Sequence, residues 1–215
     1  MTKFVVPDLK ITPRDGGYVR GQEGLELILK SALKVLIEHG YQALTFRRIA
    51  LECGMKLGNI TYYFKSKDDL VRTLLDSIMA AYEDAFQSAI DEAGGNPEMQ
   101  MENLMRFIME DITSKKTTRV FPELWALSSH DTFVRDKLYE LYARQYVYFE
   151  NIIRRINPTL SRQDERLIAA FVTACMEGTT VFAGFKKPWN EHMPEFEDMA
   201  CKSFVHLVKN WRSNE

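Results

Sequence analysis

The sequence predicts an all-α protein of about nine helices, and three observations lead to this prediction. Apolar residues recur at steps of three and four along almost the whole chain, which is the spacing of one helix face. Only 18 of the 215 residues are glycine or proline, and most of them are clustered, as is usual between long elements. No segment alternates apolar and polar residues clearly enough for a strand. With 46% apolar residues, a chain of this length can bury a substantial core.

The first three predicted helices are close together in sequence. Apolar residues at positions 25–36 form a single stripe, and Gly40 ends this first helix at a position that favours glycine. A second helix covers residues 45–52, with Thr45 as its N-cap. Residues 56–63 form a third helix after a turn of three residues. Two short helices separated by such a turn are typical of a helix-turn-helix.

The remaining helices are longer. Ser66 and the acidic residues after it form a capping box that opens a helix to about residue 92, with a length of ~40 Å. Asn96 as N-cap and Pro97 in the first turn open the next helix, residues 97–114. Further helices are expected at residues 120–128, 131–156, 161–185 and 194–211. The third of these opens with a second capping box, Ser161 to Asp164.

About twenty residues precede the first helix. A hairpin at Asp15-Gly16 is one interpretation, but Pro13 and the short flanks favour an extended arm. Its cations, Lys3, Lys10, Arg14 and Arg20, could enter a minor groove, and disorder of the arm is the favoured alternative.

Composition excludes several classes of protein. The three cysteines have no spacing typical of a metal site, and they are expected to be reduced, as in the cytoplasm. No apolar stretch near residue 1 is long enough for a signal peptide. The longest apolar segment, residues 167–185, contains Glu177 and is therefore expected to be a buried helix rather than a membrane span. Residues 1–67 carry a net charge of +5 and the rest −7, which favours a polyanionic partner for the first part.

The helix-turn-helix has an inner and an outer face. Phe46, Ile49, Ala50 and Ile60 have the spacing to pack the two short helices on the first, and Gly54 supplies the positive φ of the turn. The outer face of the second short helix can then enter the major groove of DNA. The residues expected at this DNA interface are Thr45, Arg47, Lys56, Leu57, Gly58, Asn59, Thr61, Tyr62, Tyr63 and Lys67.

Each type of side chain at this interface has a chemical role. Arg47 can donate two hydrogen bonds to guanine, Asn59 can reach a base edge or a phosphate, and Leu57 or Thr61 can touch a thymine methyl group. The hydroxyl and ammonium groups that follow, together with Lys65, are suited to phosphate oxygens. A small reading face flanked by phosphate donors is what a sequence-specific duplex binder requires.

Residues 25–70 resemble the DNA-binding region of the tetracycline-repressor (TetR) family of transcriptional regulators. The similarity lies in segments 38–45, 48–50 and 58–70, the last of which reads Gly-Asn-Ile-Thr-Tyr-Tyr-Phe-Lys-Ser-Lys-Asp-Asp-Leu. The resemblance implies DNA contacts by Arg47, Thr61, Tyr62, Tyr63 and Lys67. It also implies a helix-turn-helix domain at residues 21–66, after an arm at 1–20, and a larger ligand-binding and dimerisation domain at 67–215 joined by the long helix.

Some residues depart from the family pattern. Lys56 stands where a serine cap is frequent, Leu57 is apolar where polar residues are usual, and Thr61 replaces a frequent tyrosine. Leu25 replaces a common arginine, so that one phosphate contact is either absent or made by Arg20. These departures leave the operator sequence undetermined, but not the expectation of DNA binding.

A stripe of aromatic residues in the larger region has two interpretations. Tyr139, Tyr142, Tyr146 and Phe149 share one helix face, which is more often part of a core than of a pocket. The resemblance implies a pocket for a small effector, and pockets are mostly apolar with a few polar groups. The residues expected to line it are Phe107, Trp125, Tyr139, Tyr142, Tyr146, Phe171, Cys175 and Glu177.

Glu177 is costly in so apolar a helix unless it has a partner. It is either a hydrogen-bonding group at a dimer interface or a carboxylate of the pocket, where it would suit a cationic or hydroxylated ligand. Apolar residues lie on more than one face of the last two helices, which predicts a homodimer through these helices and a palindromic operator.

The expected function is that of a ligand-controlled transcriptional regulator, in the first place a repressor. A helical enzyme is disfavoured, because the four histidines are scattered and no nucleophile elbow, HExxH or phosphate-binding glycine loop is present. No cofactor or metal is expected. A helical adaptor that dimerises without reading DNA remains the third interpretation.

Overall fold

The computed structural model describes residues 8–12 and 19–212, apart from the side chains of Val19 and Arg20. This part of the chain forms nine α-helices and contains no strand, as the sequence predicts. The helices are α1 (Val19–His39), α2 (Phe46–Cys53), α3 (Leu57–Tyr63), α4 (Lys67–Glu92), α5 (Pro97–Ile112), α6 (Lys115–Ser128), α7 (Thr132–Ile156), α8 (Arg162–Ala183) and α9 (Met193–Asn210). Two short 3-10 helices, Tyr41–Ala43 and Asn190–His192, were not predicted.

The helix starts agree with the predicted caps. The side-chain oxygens of Thr45, Asn96 and Ser161 accept hydrogen bonds from backbone N–H groups in the first turns of α2, α5 and α8. Ser66 Oγ likewise accepts from the N–H of Asp69, at 3.0 Å. The N–H groups of the first turn have no acceptor within their own helix, and these side-chain oxygens supply one. Because the hydrogen bonds are local, the sequence alone can predict the caps.

Two helix starts differ from the prediction. Helix α1 begins at Val19, earlier than its apolar stripe. Helix α6 begins at Lys115 instead of Val120 and contains Pro122. Ser114 Oγ accepts from the N–H of Thr117 at 3.1 Å and thereby caps the polar first turn of α6, which carries no apolar periodicity to reveal it.

The described residues divide into two compact units. The head unit comprises residues 8–12, 19–82 and 119–138, and the body unit comprises residues 83–118 and 139–212. The functional domain boundary after residue 66 stays a prediction.

The core of the head unit is built around α1. Ile28, Leu29 and Ala32 of α1 are fully buried, as are Ile49 of α2 and Ile60 of α3. These residues seat the two short helices on the first, and the apolar face of α4 that includes the buried residues Leu70, Val71, Leu74 and Ile78 completes the core.

Helix α6 holds the C-terminal end of α1 within the head unit. The guanidinium of Arg119 donates to the carbonyl of Ile37 at 3.1 Å, and the N–H of Tyr41 donates to the carboxylate of Glu123 at 2.5 Å. The first hydrogen bond occupies a carbonyl near the end of α1, and the second an N–H at the start of the 3-10 helix that leads to α2. Part of the predicted arm also belongs to this unit, since the N–H of Lys10 donates to the carbonyl of Ser77 at 3.0 Å. The proposed turn at Asp15-Gly16 lies outside the described residues.

In the body unit, α5 packs against α8 and α9. Asn157 Nδ2 donates to the carbonyl of Val208 at 2.8 Å and ties the end of α7 to the end of α9. The nearly buried carboxylate of Glu165 accepts from Arg154, with a shortest distance of 2.6 Å. Helix α8 is the one described helix long and apolar enough to span a membrane by length and composition, a test that core helices also pass.

The cap of α5 gives a stability prediction. We expect Asn96→Ala to lower the free energy of unfolding by about 1 kcal/mol, because it removes the acceptor for the N–H groups of Glu98 and Met99. Asn96→Asp keeps an acceptor and serves as the control. Urea unfolding followed by circular dichroism measures both variants, and an equal loss for the two would contradict the capping role.

Candidate nucleic-acid interface and effector site

Local hydrogen bonds and one glycine fix the angle between α2 and α3. Gly54 has a φ of 68°, in the left-handed region that glycine adopts without strain, and its N–H closes the end of α2. The N–H of Met55 donates to the carbonyl of Ala50 at 3.0 Å. With Ile60 buried beneath it, α3 has a fixed orientation, and its opposite side faces away from the core.

Eight of the ten residues predicted at the DNA interface are exposed. Tyr62 exposes 76% of its surface and Leu57 49%, although buried aromatic and leucine side chains would be the norm. The other exposed members are Thr45, Arg47, Lys56, Gly58, Asn59 and Thr61. Side chains of this kind, gathered around one short helix, form a surface that can enter a groove of DNA.

Tyr63 and Lys67 are only partly exposed because each packs within the head unit. The hydroxyl of Tyr63 lies so close to Gly24 that a side chain at position 24 would overlap with it. The ammonium of Lys67 lies 3.8 Å from the ring centre of Tyr41 and donates to the Tyr41 carbonyl at 3.1 Å. Burial lowers the pKa of this ammonium. Lys67 therefore holds the segment before α2, and its phosphate contact stays a prediction.

The surface around α3 is cationic. Arg47, Arg48, Lys56 and Lys65 are exposed, and none of these four makes an ion pair with another described residue. A shallow concavity of about 530 Å³ lies between α2 and α3, lined by Thr45, Arg47, Arg48, Ala50, Leu51, Met55 and Leu57. Cations without partners next to a concave surface can neutralise phosphate groups.

Arg48 and Leu51 of this surface were not among the predicted contact residues. Leu51 is 83% exposed. The sequence held a signal for Leu51. This residue lies outside the buried face of α2, and a leucine there has no core to pack against.

The structure brings together some of the residues predicted for the pocket. The rings of Tyr142 and Tyr146 are stacked with centres 6.3 Å apart, and Phe107 is buried with its ring edge-on to Phe86. All of these lie in the body unit, together with Glu177. Trp125 belongs to the head unit, where its ring centre lies 6.4 Å from that of Phe121.

Three other predicted pocket residues lie at the surface. Tyr139 is 64% exposed and Phe171 53%, and Cys175 is exposed as well. The core face of α7 is centred on residues such as Leu141 and Gln145, and Tyr139 lies beyond its edge. At 100° per residue, positions 171 and 175 face away from position 177 on α8. Cys175 lines a concavity of about 220 Å³ together with Met109 of α5 and Phe204 of α9. The role of these three side chains in a ligand pocket stays a prediction.

Glu177 belongs to a polar cluster between α5, α7 and α8. Its carboxyl accepts a hydrogen bond from the Tyr142 hydroxyl, and the charge of Asp111 is near enough to act on it. Burial, and to a smaller extent Asp111, raises the pKa of Glu177 to about 8, and the bond from Tyr142 lowers it only partly. Asp111 itself accepts from the hydroxyl of Thr117 at 2.6 Å. At neutral pH the Glu177 carboxyl is therefore mostly protonated.

Sequence reasoning missed Asp111 of this cluster, and Thr173 and Thr180 on the same side of α8 as Glu177. Thr173, Glu177 and Thr180 are spaced by four and three residues, so they share one face of α8. This polar stripe in an apolar helix was a usable signal. Asp111 could not be placed, because only tertiary packing brings α5 to that stripe.

Comparison with known proteins gives matches to two family models, one for each end of the chain. Residues 28–74 match the family model described as bacterial regulatory proteins of the tetR family, and residues 97–205 match that of the BetI-type transcriptional repressor, C-terminal. The chain belongs to the TetR family. It is a DNA-binding transcriptional regulator of the helix-turn-helix type.

Individual relatives agree with this assignment. An uncharacterised HTH-type transcriptional regulator in the dhlA 5' region of Xanthobacter autotrophicus is 27% identical over 193 residues, which cover 85% of this chain and 87% of the relative. A TetR-family regulator from Mesorhizobium loti has a TM-score of 0.70 at 15% identity, with 88% and 98% of the two chains covered. The multidrug binding protein EbrR, solved with imidazole, has a TM-score of 0.63 at 16% identity, with 89% and 98% covered. The two structures share the fold.

Glu177 gives a prediction about pH and stability. Its pKa of about 8 in the folded chain lies above the ordinary value of 4.5 expected after unfolding, so the folded state binds more protons between these values. Stability from this group is therefore full below about pH 4.5 and is lost as the pH rises towards 8. We expect Glu177→Gln to match the parent chain near pH 5 and to exceed its melting temperature at pH 8.5.

Thermal unfolding at pH 5, 7 and 8.5 measures this difference. Glu140→Gln, which changes an exposed carboxylate on α7, is the control and should leave the pH dependence unchanged. A difference between Glu177→Gln and the parent that does not grow with pH would contradict a protonated Glu177.

Proposed function

We propose that this TetR-family regulator is a repressor that acts as a cytoplasmic homodimer and releases its operator when a small organic molecule binds. The observation that carries the proposal is the exposed outer face of α3 above the buried Ile60, with the exposed cations Arg47, Arg48, Lys56 and Lys65 around it. The similarity of residues 97–205 to the BetI-type repressor model favours repression.

The operator contacts follow from the chemistry of that face. Arg47 reads a base edge with its two parallel N–H donors, while Asn59, Thr61 and Leu57 complete the reading surface. Thr45, Lys56 and the Tyr62 hydroxyl reach phosphate oxygens, and the backbone at Gly58 allows close approach to the duplex. Tyr63 and Lys67 contribute from the edge of this surface if their present contacts rearrange on DNA.

Dimerisation through α8 and α9 has a physical reason. Leu167, Phe171, Val181 and Phe182 of α8 and Met199 of α9 each expose more than half of their surface. Large apolar side chains clustered on two neighbouring helices stabilise an interface between subunits. A twofold dimer presents two copies of α3 about 34–36 Å apart, one turn of DNA, and therefore binds a palindromic operator.

The effector site is the polar cluster around Glu177 with the stacked rings of Tyr142 and Tyr146. Polar groups among aromatic side chains fix the orientation of a small ligand. Effector and operator affect each other's affinity by the same coupling free energy, which requires a different effector affinity in the DNA-bound form. Helices α4 and α6 each run through both compact units, so a shift in the body unit reaches the head unit along continuous helices.

The DNA face yields a first prediction for this function. On a duplex selected from a random pool by the purified protein, we expect Arg47→Ala to cost about 1–3 kcal/mol in binding and to relax base preference at one position. Lys65→Ala should weaken binding to all sequences alike. It should also reduce the slope of log affinity against log salt by about 0.9 for each bound subunit, because one phosphate contact is lost.

Fluorescence anisotropy at several salt concentrations measures both effects. Lys187→Ala, which removes an exposed cation between α8 and α9, is the matched control and should leave affinity and slope unchanged. Equal affinities for Arg47→Ala, Lys65→Ala and the parent chain would overturn the assignment of the cationic surface around α3 as the DNA interface.

The apolar face yields a second prediction. We expect Phe182→Asp to convert the dimer to a monomer, because a charge cannot be buried at an apolar interface without a partner. Tyr139→Asp changes a similarly exposed aromatic residue on α7 and should leave the dimer intact. Sedimentation velocity gives the mass of each variant. A dimer that survives Phe182→Asp but dissociates with Tyr139→Asp would place the interface elsewhere.

A further inference from the structure

The concavity between α2 and α3 is lined by apolar as well as cationic residues. Leu51 of α2, Met55 of the turn and Leu57 of α3 contribute to its lining, together with Arg47 and Arg48. Leu51 and Leu57 expose 83% and 49% of their surface, so neither side chain is part of the core of the head unit. Large apolar side chains gathered around one exposed concavity mark a place where another molecule binds.

Backbone hydrogen bonds fix the turn that joins these residues. The N–H of Gly54 donates to the carbonyl of Leu51 at 3.4 Å, and the N–H of Met55 donates to the carbonyl of Ala50 at 3.0 Å. The backbone that carries the apolar side chains is therefore already ordered before a partner binds, and less entropy is lost on binding.

The charge around the concavity indicates the class of partner. Residues 45–65 contain four cations and one acid, Glu52. The carboxylate of Glu52 is paired with the ammonium of Lys34 of α1 at 2.5 Å, so the excess charge of this segment is positive. A positive surface that also carries apolar groups fits the major groove of DNA, where phosphates flank the base edges. Continuity with the exposed face of α3, to which Leu57 belongs, favours duplex DNA over an acidic protein.

The base edges of the major groove offer one apolar group. All four bases present hydrogen-bond donors or acceptors there, and thymine adds the methyl group at C5. A leucine side chain has no hydrogen-bonding atom, so covering a polar base edge with it removes water without a replacement partner. Covering a thymine methyl group instead takes two apolar surfaces out of water. Leu51 and Leu57 therefore favour thymine over the other bases.

Thr61 is the other residue of this surface with a methyl group that can touch thymine. Its hydroxyl donates to the carbonyl of Gly58 at 3.1 Å. Thr61 is not among the residues that line the concavity. Recognition of thymine by the leucines and by Thr61 can therefore be separated by substitution.

We propose that Leu51, Met55 and Leu57 form a methyl cleft, which recognises the C5-methyl group of a thymine in each operator half-site. The inference rests on the proposed DNA-binding function and adds Leu51 and Met55 as specificity-determining residues, with the chemical group that they read. 5-Methylcytosine carries the same methyl group at the same place in the major groove. The methyl cleft therefore also distinguishes methylated from unmethylated cytosine.

Deoxyuridine tests the methyl cleft, because it differs from thymidine only by the missing C5-methyl group. In a duplex selected from a random pool by the purified protein, each thymine of one half-site is replaced in turn, and fluorescence anisotropy measures the affinity. We expect about fourfold weaker binding where the methyl group enters the cleft, and no change for thymines outside the half-sites. At the same position, 5-methylcytosine should give about fourfold tighter binding than cytosine.

Four variants assign this difference to individual side chains. Leu51→Ala and Leu57→Ala should each weaken binding of the thymine duplex and make the thymine and deoxyuridine duplexes nearly equal. Leu27→Ala removes a leucine of α1 that is 43% exposed and lies outside the cleft, so this matched control should keep the difference. Thr61→Ser removes a methyl group and keeps the hydroxyl, and should also keep the difference. Thermal unfolding followed by circular dichroism verifies that each variant is folded.

The outcomes separate this inference from the proposed function. Equal binding of thymine and deoxyuridine at every position, or selected half-sites without thymine, would overturn the methyl cleft and leave sequence-specific DNA binding intact. A difference that both leucine variants retain would overturn it as well, and its loss in Thr61→Ser would assign the methyl contact to threonine. If the protein enriches no sequence from the pool, the proposed function fails and the methyl cleft fails with it.

Discussion

The burial of Ile60 in the core of the head unit is the interaction on which the DNA-binding surface depends. A helix of seven residues has little stability of its own, so its position is set by the side chain that it buries and by the turn that precedes it. Ile60 and Ile49 are fully buried, and Gly54 supplies the left-handed turn between them. Together they leave the polar residues of α3 on the outside. The interface is therefore a consequence of core packing, since any sequence that seats α3 this way exposes the same positions.

Charged side chains of α4 and α6 form hydrogen bonds with the backbone at the end of α1 and just after it. Arg119 and Glu123 of α6 bind the Ile37 carbonyl and the Tyr41 N–H, and Lys67 of α4 binds the Tyr41 carbonyl from the other side. Tyr41 thus has both backbone polar groups bonded to charged side chains of longer helices, and such bonds are among the stronger ones. The two helices that grip the segment before α2 also run through both compact units. A displacement of either helix would change the support of α2 and α3 directly, without a separate signalling element.

How far the sequence could predict the molecule depended on whether the information was local. Caps at Thr45, Asn96 and Ser161, and the glycine of the turn, are short-range hydrogen-bonding patterns, and they were predicted correctly. The start of α6 was missed because its first turn is polar. Tyr139 was placed on an inner face because residues spaced by three and four drift around a helix, and only packing shows where the buried face ends. Asp111 was missed because it is 66 residues away from Glu177 in the sequence, and only the tertiary structure brings the two carboxyl groups close enough to interact.

Helix α8 carries two different chemistries on opposite faces, and under the proposed function this arrangement would link ligand binding to assembly. Thr173, Glu177 and Thr180 face the interior of the body unit, while Phe171 and Phe182 are exposed on the other side. An α-helix transmits displacement as a rigid rod over these few turns, so an effector that moves the inner face also moves the outer one. If the outer face binds the second subunit, the geometry of the dimer, and with it the separation of the two reading helices, depends on whether the inner site is filled. In that case α8 alone couples the two sites, because the effector-bound and the operator-bound forms of the protein differ in the position of this helix. Operator affinity then depends on the effector.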